Sequence, residues 1–158
     1  MQSYVAGFLF SLCEQSVALI EKRTPEWQRG YLNGIGGKNE TGETPCEAMA
    51  REFQEEAGLK TAPENWTTFA IVTRPNHYEV HFMFSHDARI HEVRSQEQEQ
   101  VCIHNPANLP KNVLPNLRWL IAMSLDKELD FSSPILMRES GSDSAYPNLP
   151  KLSAVPHT

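Results

Sequence analysis

The sequence predicts an α+β fold: a mixed, curved sheet packed between helices as an α/β/α sandwich. Three observations lead there. Apolar segments of strand length open the chain, one sharply delimited helix follows, and two further strands precede a second segment of helical period. Strands and helices interleaved in this irregular order suit a mixed sheet with helices on its faces.

The first strand is expected from Tyr4 to Leu12, with Ala6, Phe8, Phe10 and Leu12 on one face. Ser16 to Lys22 (SVALIEK) reads as its hairpin partner. TPEWQRG is a loop, and Tyr31 to Ile35 is a short strand running into Gly36-Gly37. Thr44-Pro45-Cys46-Glu47 then forms a capping box with proline at the first helical position. Gly58 stands where a left-handed C-cap is wanted, so the helix runs from about Pro45 to Ala57. Cys46, Ala50, Phe53 and Ala57 form its apolar stripe. Trp66 to Thr73 and Tyr78 to Ser85 are strands joined by the turn RPNH, and Glu99 to His104 is another short strand. Val113 to Glu128 carries Val113, Leu117, Leu120, Ile121 and Leu125 at helical spacing. Ile135 to Arg138 can add an edge strand, and the Ser- and Pro-rich end reads as a mobile tail. The organisation is therefore one domain over 1–131, then an edge strand and tail over 132–158.

The chain has 158 residues, with 14 Lys+Arg against 20 Asp+Glu and a net charge of -6. That length suits one domain, and the acidic balance leaves no broad basic footprint for long nucleic acid. No apolar run is long enough for a membrane span, and the N-terminus matches a secretory signal poorly. Cys13, Cys46 and Cys102 are too few and too scattered for a disulfide framework or a zinc site, which favours a reducing, cytoplasmic setting. The histidines show no metal-ligand spacing. Phe82, Phe84 and Trp119 read as core, and Trp27 as a loop aromatic beside a pocket.

The chemistry is concentrated in GGKNETGETPCEAMAREFQEEAGL, Gly36 to Leu59. Glu52 and Glu56 are four residues apart and stand one above the other, with Glu55 further round the same flank and Arg51 within reach of Glu47 and Glu55. Like charges at that spacing destabilise a helix by a few tenths of a kcal/mol. A solvated face does not explain them, whereas a hard divalent cation bound by oxygen ligands does.

Gly37, Glu43, Arg51, Glu52, Glu55, Glu56 and Gly58 fill every fixed position of G-x5-E-x7-R-E-U-x-E-E-x-G-U, the signature of the Nudix hydrolases. Leu59 fits the last aliphatic position U, and Phe53 departs at the first by being aromatic. Seven fixed residues coincide by chance on the order of once in a billion starting positions. The chain resembles this family from roughly Tyr4 to Leu129.

The resemblance implies hydrolysis of a diphosphate linkage with Mg²⁺, or Mn²⁺, as cofactor. It makes Glu52 and Glu56 metal ligands, Glu55 a ligand or the water-activating base, and the carbonyl of Gly36 or Gly37 a further ligand. Arg51 orients the glutamates and Glu43 braces the loop. An additional acidic ligand falls on Glu97 or Glu99, with Glu99 preferred. The run Asn33-Gly34-Ile35-Gly36-Gly37-Lys38 resembles MutT-type nucleoside triphosphatases. Asn33 then faces the base or simply closes a strand end, and Lys38 touches phosphate or is solvated. Asn116 reads a purine edge or starts a helix, and Arg23 contacts phosphate or lies on the surface. The implied substrate is a small nucleotide, foremost a (d)NTP or oxidised purine dNTP cleaved to monophosphate and pyrophosphate, handled by a monomer or homodimer. ADP-ribose, a dinucleoside polyphosphate or an RNA 5′ end are the alternative substrates. A non-catalytic binding module of the same fold would be expected to lack a signature glutamate.

Overall fold

The computed structural model describes residues 1–140. The expected mobile tail falls largely on 141–158, outside the described residues.

Among the described residues, eight strands form one mixed sheet: β1 (Gln2–Phe10), β2 (Val17–Glu21), β3 (Leu32–Asn33), β4 (Ile35–Lys38), β5 (Thr67–Arg74), β6 (Tyr78–His86), β7 (Val101–His104) and β8 (Ile135–Arg138). Two α-helices among the described residues, α1 (Pro45–Ala57) and α2 (Pro115–Ser124), pack against it, with three single-turn 3-10 helices in the loops. The main path of the sheet is β3-β2-β1-β6-β5-β8, with β4 also on β1 and β7 also on β2. β1 lies parallel to β6 over its whole length, and β8 lies parallel to β5. The β1–β2, β1–β4, β2–β7 and β5–β6 pairings are antiparallel.

Alternation along the strands feeds two cores. Ala6, Phe8, Phe10, Val72 and Phe82 face α2, where Leu117, Leu120 and Ile121 meet them. Val5, Leu9, Ile35 and Met83 face α1, where Met49, Phe53 and Ala57 meet them with Trp66. The sandwich is the one the sequence predicts. Gly7 falls on the α1 side, where an added Cβ would lie 2.6 Å from Met49 Sδ, so glycine lets the helix seat closely.

Helix α1 begins and ends as its caps dictate. Thr44 Oγ1 accepts from the Glu47 amide, Glu47 Oε1 accepts from the Thr44 amide, and Gly58 takes the left-handed conformation with φ 72°.

Several boundaries differ from the sequence reading. β1 ends at Phe10, and Leu12 sits exposed in the following turn because the chain reverses at Ser11. Gly34 divides the expected Tyr31–Ile35 strand into β3 and the start of β4. β7 starts at Val101, leaving Glu99 in the loop before it. α2 is shorter than expected: Leu114 is extended ahead of Pro115, as a residue before proline prefers. Val113 instead bridges Leu32, so its apolar character serves the sheet. Trp119 is 46% exposed and is not part of the core.

Candidate active site

The signature helix is fixed against a glycine-lined strand. Gly36 pairs with Ala6 and Gly37 with Val5 across β4 and β1. A Cβ on Gly36 would stand 1.9 Å from the Val5 carbonyl oxygen, and one on Gly37 would stand 2.5 Å from Cδ of Glu52. The Glu52 carboxylate thus rests on the backbone of Gly37, in space that only glycine leaves open.

Arg51 organises the surrounding acids. Its Nε donates to Glu43 Oε2 at 2.7 Å and its Nη2 to Glu43 Oε1 at 2.9 Å, a two-pronged pair. Nη1 donates to Glu52 Oε1 at 2.9 Å and reaches Glu55 Oε2 at 3.3 Å. Nη2 also donates to the Lys38 carbonyl at 2.9 Å, tying the helix to the end of β4. The expected reach to Glu47 is replaced by Glu43, because Glu47 is engaged in the capping box. Glu43 in turn accepts from the Glu40 amide, which shapes the loop before α1.

The glutamates divide by environment. Arg51 holds Glu43 below the usual carboxylate range. Burial pushes Glu52 up despite Arg51, and Glu55 adds to the rise. Glu56 is the most perturbed: burial, then Glu97, Glu99 and Glu52, push it up to about 7. Its Oε2 is buried without a hydrogen-bond partner. Glu99 behaves differently. Burial raises it, but the Arg23 amide and Lys22 outweigh burial and hold it low. Its Oε1 accepts from Lys22 Nζ at 3.0 Å, while Oε2 accepts from the Arg23 amide and, at 3.4 Å, from the Thr24 amide.

This donor set fits a hard cation. It offers carboxylate oxygens, one of them orphaned in a buried position, beside backbone that glycine leaves approachable. Among the described residues, no three His, Cys, Asp or Glu groups already converge as a ligand cage. Beyond burial, neighbouring carboxylates raise the pKa of Glu56, and a bound cation would reverse that effect.

A cavity of about 510 Å³ opens from Gly36 and Gly37 across the α2 face of the sheet. Its walls include Ala6, Val72, Val80, Phe82 and Leu114, with Trp27 at the rim. Polar groups reach it from Lys22, Gln28, Asn33 and Asn116. Mostly apolar walls with a few placed polar groups are typical of small-ligand sites.

The sequence-derived residues fare unequally. Asn33 and Asn116 both line the cavity. Asn33 is engaged: its Oδ1 accepts from the Gly34 amide and its Nδ2 donates to Gln28 Oε1. Asn116 sits one residue inside the helix, the N-cap being Leu114, and its Oδ1 is buried without a partner. Arg23 and Lys38 are exposed and lie outside the cavity lining, whereas Lys22 lines it. Glu97 is exposed and Glu99 is half-buried against Lys22. Arg74, Tyr78 and Glu139 also line the cavity and were missed. Arg74 was detectable: it continues the inward register of Ala70 and Val72, where an apolar residue is expected.

The family described as the NUDIX domain matches residues 4–122. Solved structures that share the fold include these three. A MutT structure from a study of the Aliivibrio salmonicida and Vibrio cholerae proteins is 22% identical, covering 77% of this chain and 96% of its own with a TM-score of 0.59. The mutator MutT protein of Bacillus halodurans is 16% identical, covering 97% and 95% with a TM-score of 0.62. An ADP-ribose pyrophosphatase of Streptococcus suis is 15% identical, covering 85% and 98% with a TM-score of 0.59. With the matched segment spanning most of the chain and every signature position filled, the chain belongs to the NUDIX domain family, that of the Nudix hydrolases.

Proposed function

We propose that this protein is a Mg²⁺-dependent nucleoside triphosphate pyrophosphohydrolase that releases a nucleoside monophosphate and pyrophosphate. The observation that carries the reading is the continuity of the acidic helix with the cavity. Gly37 belongs to both: it seats Glu52 on one side and, together with Gly36, lines a chamber of about 510 Å³ on the other. A nucleoside fits against the apolar wall while its phosphates lie at the glycines.

Glu52, Glu55, Glu56 and the Gly36 carbonyl would hold the cation, with Glu99 as the added acidic group. When bound, Mg²⁺ lowers the pKa of water and neutralises charge on the transferring phosphoryl group. The chain's own residues do the positioning. Arg51 fixes Glu52 and Glu43 and joins the helix to β4 through the Lys38 carbonyl. Glu55 is the half-exposed member of the set, its side chain 49% accessible and paired with Arg51 at 3.3 Å, and would serve either as a ligand or as the base that takes a proton from attacking water. Lys22, held by Glu99 at the cavity edge, is placed to meet a phosphate.

The Streptococcus suis neighbour carries ADP-ribose pyrophosphatase in its name, and its TM-score of 0.59 equals that of the first MutT. ADP-ribose therefore belongs in the test. Purine and pyrimidine triphosphates and ADP-ribose are incubated with Mg²⁺, and monophosphate and pyrophosphate are quantified. Triphosphate turnover above ADP-ribose turnover supports the reading; the reverse order moves the protein to the sugar nucleotide class.

A further inference from the structure

Arg74 is the anomaly of the cavity. It is 6% exposed, yet among the described residues its side chain has no hydrogen bond or ion pair, and its Nε is buried without a partner. A guanidinium is donor-only and cannot shed its charge. A buried, unpaired one is costly unless something supplies an acceptor.

The surroundings indicate what that acceptor is. Arg74 and Glu139 lie side by side across β5 and β8: Thr73 pairs with Arg138, and the Glu139 amide donates to the Thr73 carbonyl at 2.9 Å. Both side chains line the cavity, but no ion pair joins them. Tyr78 Oη instead donates to Glu139 Oε2 at 2.7 Å and aims the carboxylate. β5 is three strands from β4, through β6 and β1, roughly 14 Å across the sheet. Arg74 thus faces the part of a ligand remote from the phosphates. Between them Val72, Val80 and Phe82 offer an apolar wall for a flat ring.

We propose that Arg74 and Glu139 form a base-reading pair selective for 6-oxopurines, with Arg74 donating to the exocyclic O6 and Glu139 accepting from the ring N1–H and, in guanine, the 2-amino group. The inference rests on the nucleotide reading of the site. The Asn116 amide can rotate to present either a donor or an acceptor, so it tolerates both oxo and amino purines. Arg74 cannot rotate to an acceptor and an ionised Glu139 cannot donate. Adenine, with an amino donor where guanine has O6, sets donor against donor. Strand β8 therefore has a role in specificity although it lies beyond the matched segment 4–122.

The test is binding of GMP and AMP to the full chain by calorimetry, alongside the melting temperature. The wild-type protein is expected to bind GMP about tenfold or more tighter than AMP, since a good hydrogen-bonded base contact discriminates by roughly that factor. Arg74→Met should bring the ratio near unity while leaving the melting temperature unchanged or higher, because an unpaired buried cation is removed. Glu139→Gln should erode the same ratio. Equal binding of GMP and AMP by the wild-type protein, or an Arg74→Met protein that keeps the ratio or melts well below wild type, overturns the proposal. Monophosphate binding is independent of turnover. A GMP preference without triphosphate hydrolysis would leave this pair standing and refute the pyrophosphohydrolase reading instead.

Discussion

The Glu52 carboxylate lies directly over Gly37: a Cβ placed on that glycine would stand 2.5 Å from Glu52 Cδ and 2.6 Å from its Oε1. Glycine one residue earlier is required for a different reason, since its Cβ would meet the Val5 carbonyl oxygen at 1.9 Å. One glycine positions a carboxylate and the other permits strand pairing.

The two substitutions should therefore fail differently. Gly37→Ala collides with the far end of a movable side chain, so Glu52 is displaced and the fold survives. Activity should fall by about 10- to 100-fold, the usual cost of misplacing a metal ligand's support, with a small change in melting temperature. Gly36→Ala collides with backbone and should lower the melting temperature markedly, through strain of about 1–3 kcal/mol or more. Denaturation curves and rates for both proteins check this. Equal thermal losses in the two would contradict the assignment.

Glu56 gives a pH signature. Its folded-state pKa of about 7 lies above the ordinary carboxylate value of about 4.3. Between these values the folded chain retains a proton that the unfolded chain has released, so metal-free stability is highest below about pH 4.3, as far as this group is concerned, and falls as pH rises to about 7. Glu43 and Glu99, whose pKa values are lowered, act in the opposite sense and in a lower window: their contribution is lost as pH falls below the ordinary carboxylate value. Melting temperatures in chelator at pH 5, 6, 7 and 8 should decline for the wild-type protein and decline less for Glu56→Gln. Mg²⁺ should stabilise the wild-type protein more at pH 8 than at pH 6, because the cation requires the ionised carboxylate. Parallel profiles for the two proteins would refute the role given to Glu56.

Asn116 presents an unpartnered carbonyl oxygen from the first turn of α2. Asn116→Ala should reduce kcat/KM for the preferred purine triphosphate by about tenfold, the scale of a lost hydrogen bond that leaves a partner unpaired, and should change a pyrimidine triphosphate less. Equal losses on every substrate would return Asn116 to a purely structural role.

Local signals made most of this legible in the sequence. The capping box at Thr44 and Glu47, Pro45 and the left-handed Gly58 delimit α1 with short-range chemistry alone. The signature spacing then fixes which glutamates share a flank. Boundaries set by long-range pairing were not legible. Val113 carries a helical period but is claimed by Leu32 across the sheet, and Leu12 keeps the strand alternation although the chain has already turned. Lys22 rather than the neighbouring Arg23 lines the cavity, a choice made by the direction of the strand end as it meets Glu99. Arg74 and Glu139 are distant in sequence and become neighbours only through the parallel β5–β8 pairing.

The central claim is that the Glu52–Glu55–Glu56 helix cleaves a nucleoside triphosphate to monophosphate and pyrophosphate. The most direct measurement incubates the full chain with GTP and Mg²⁺, separates the products, and repeats the assay with chelator and with Glu56→Gln. The account predicts GMP and pyrophosphate in equal amounts, none with chelator, and a rate lowered about a hundredfold or more in the variant. GDP and orthophosphate as products, or a Glu56→Gln protein with near-normal turnover, would contradict it.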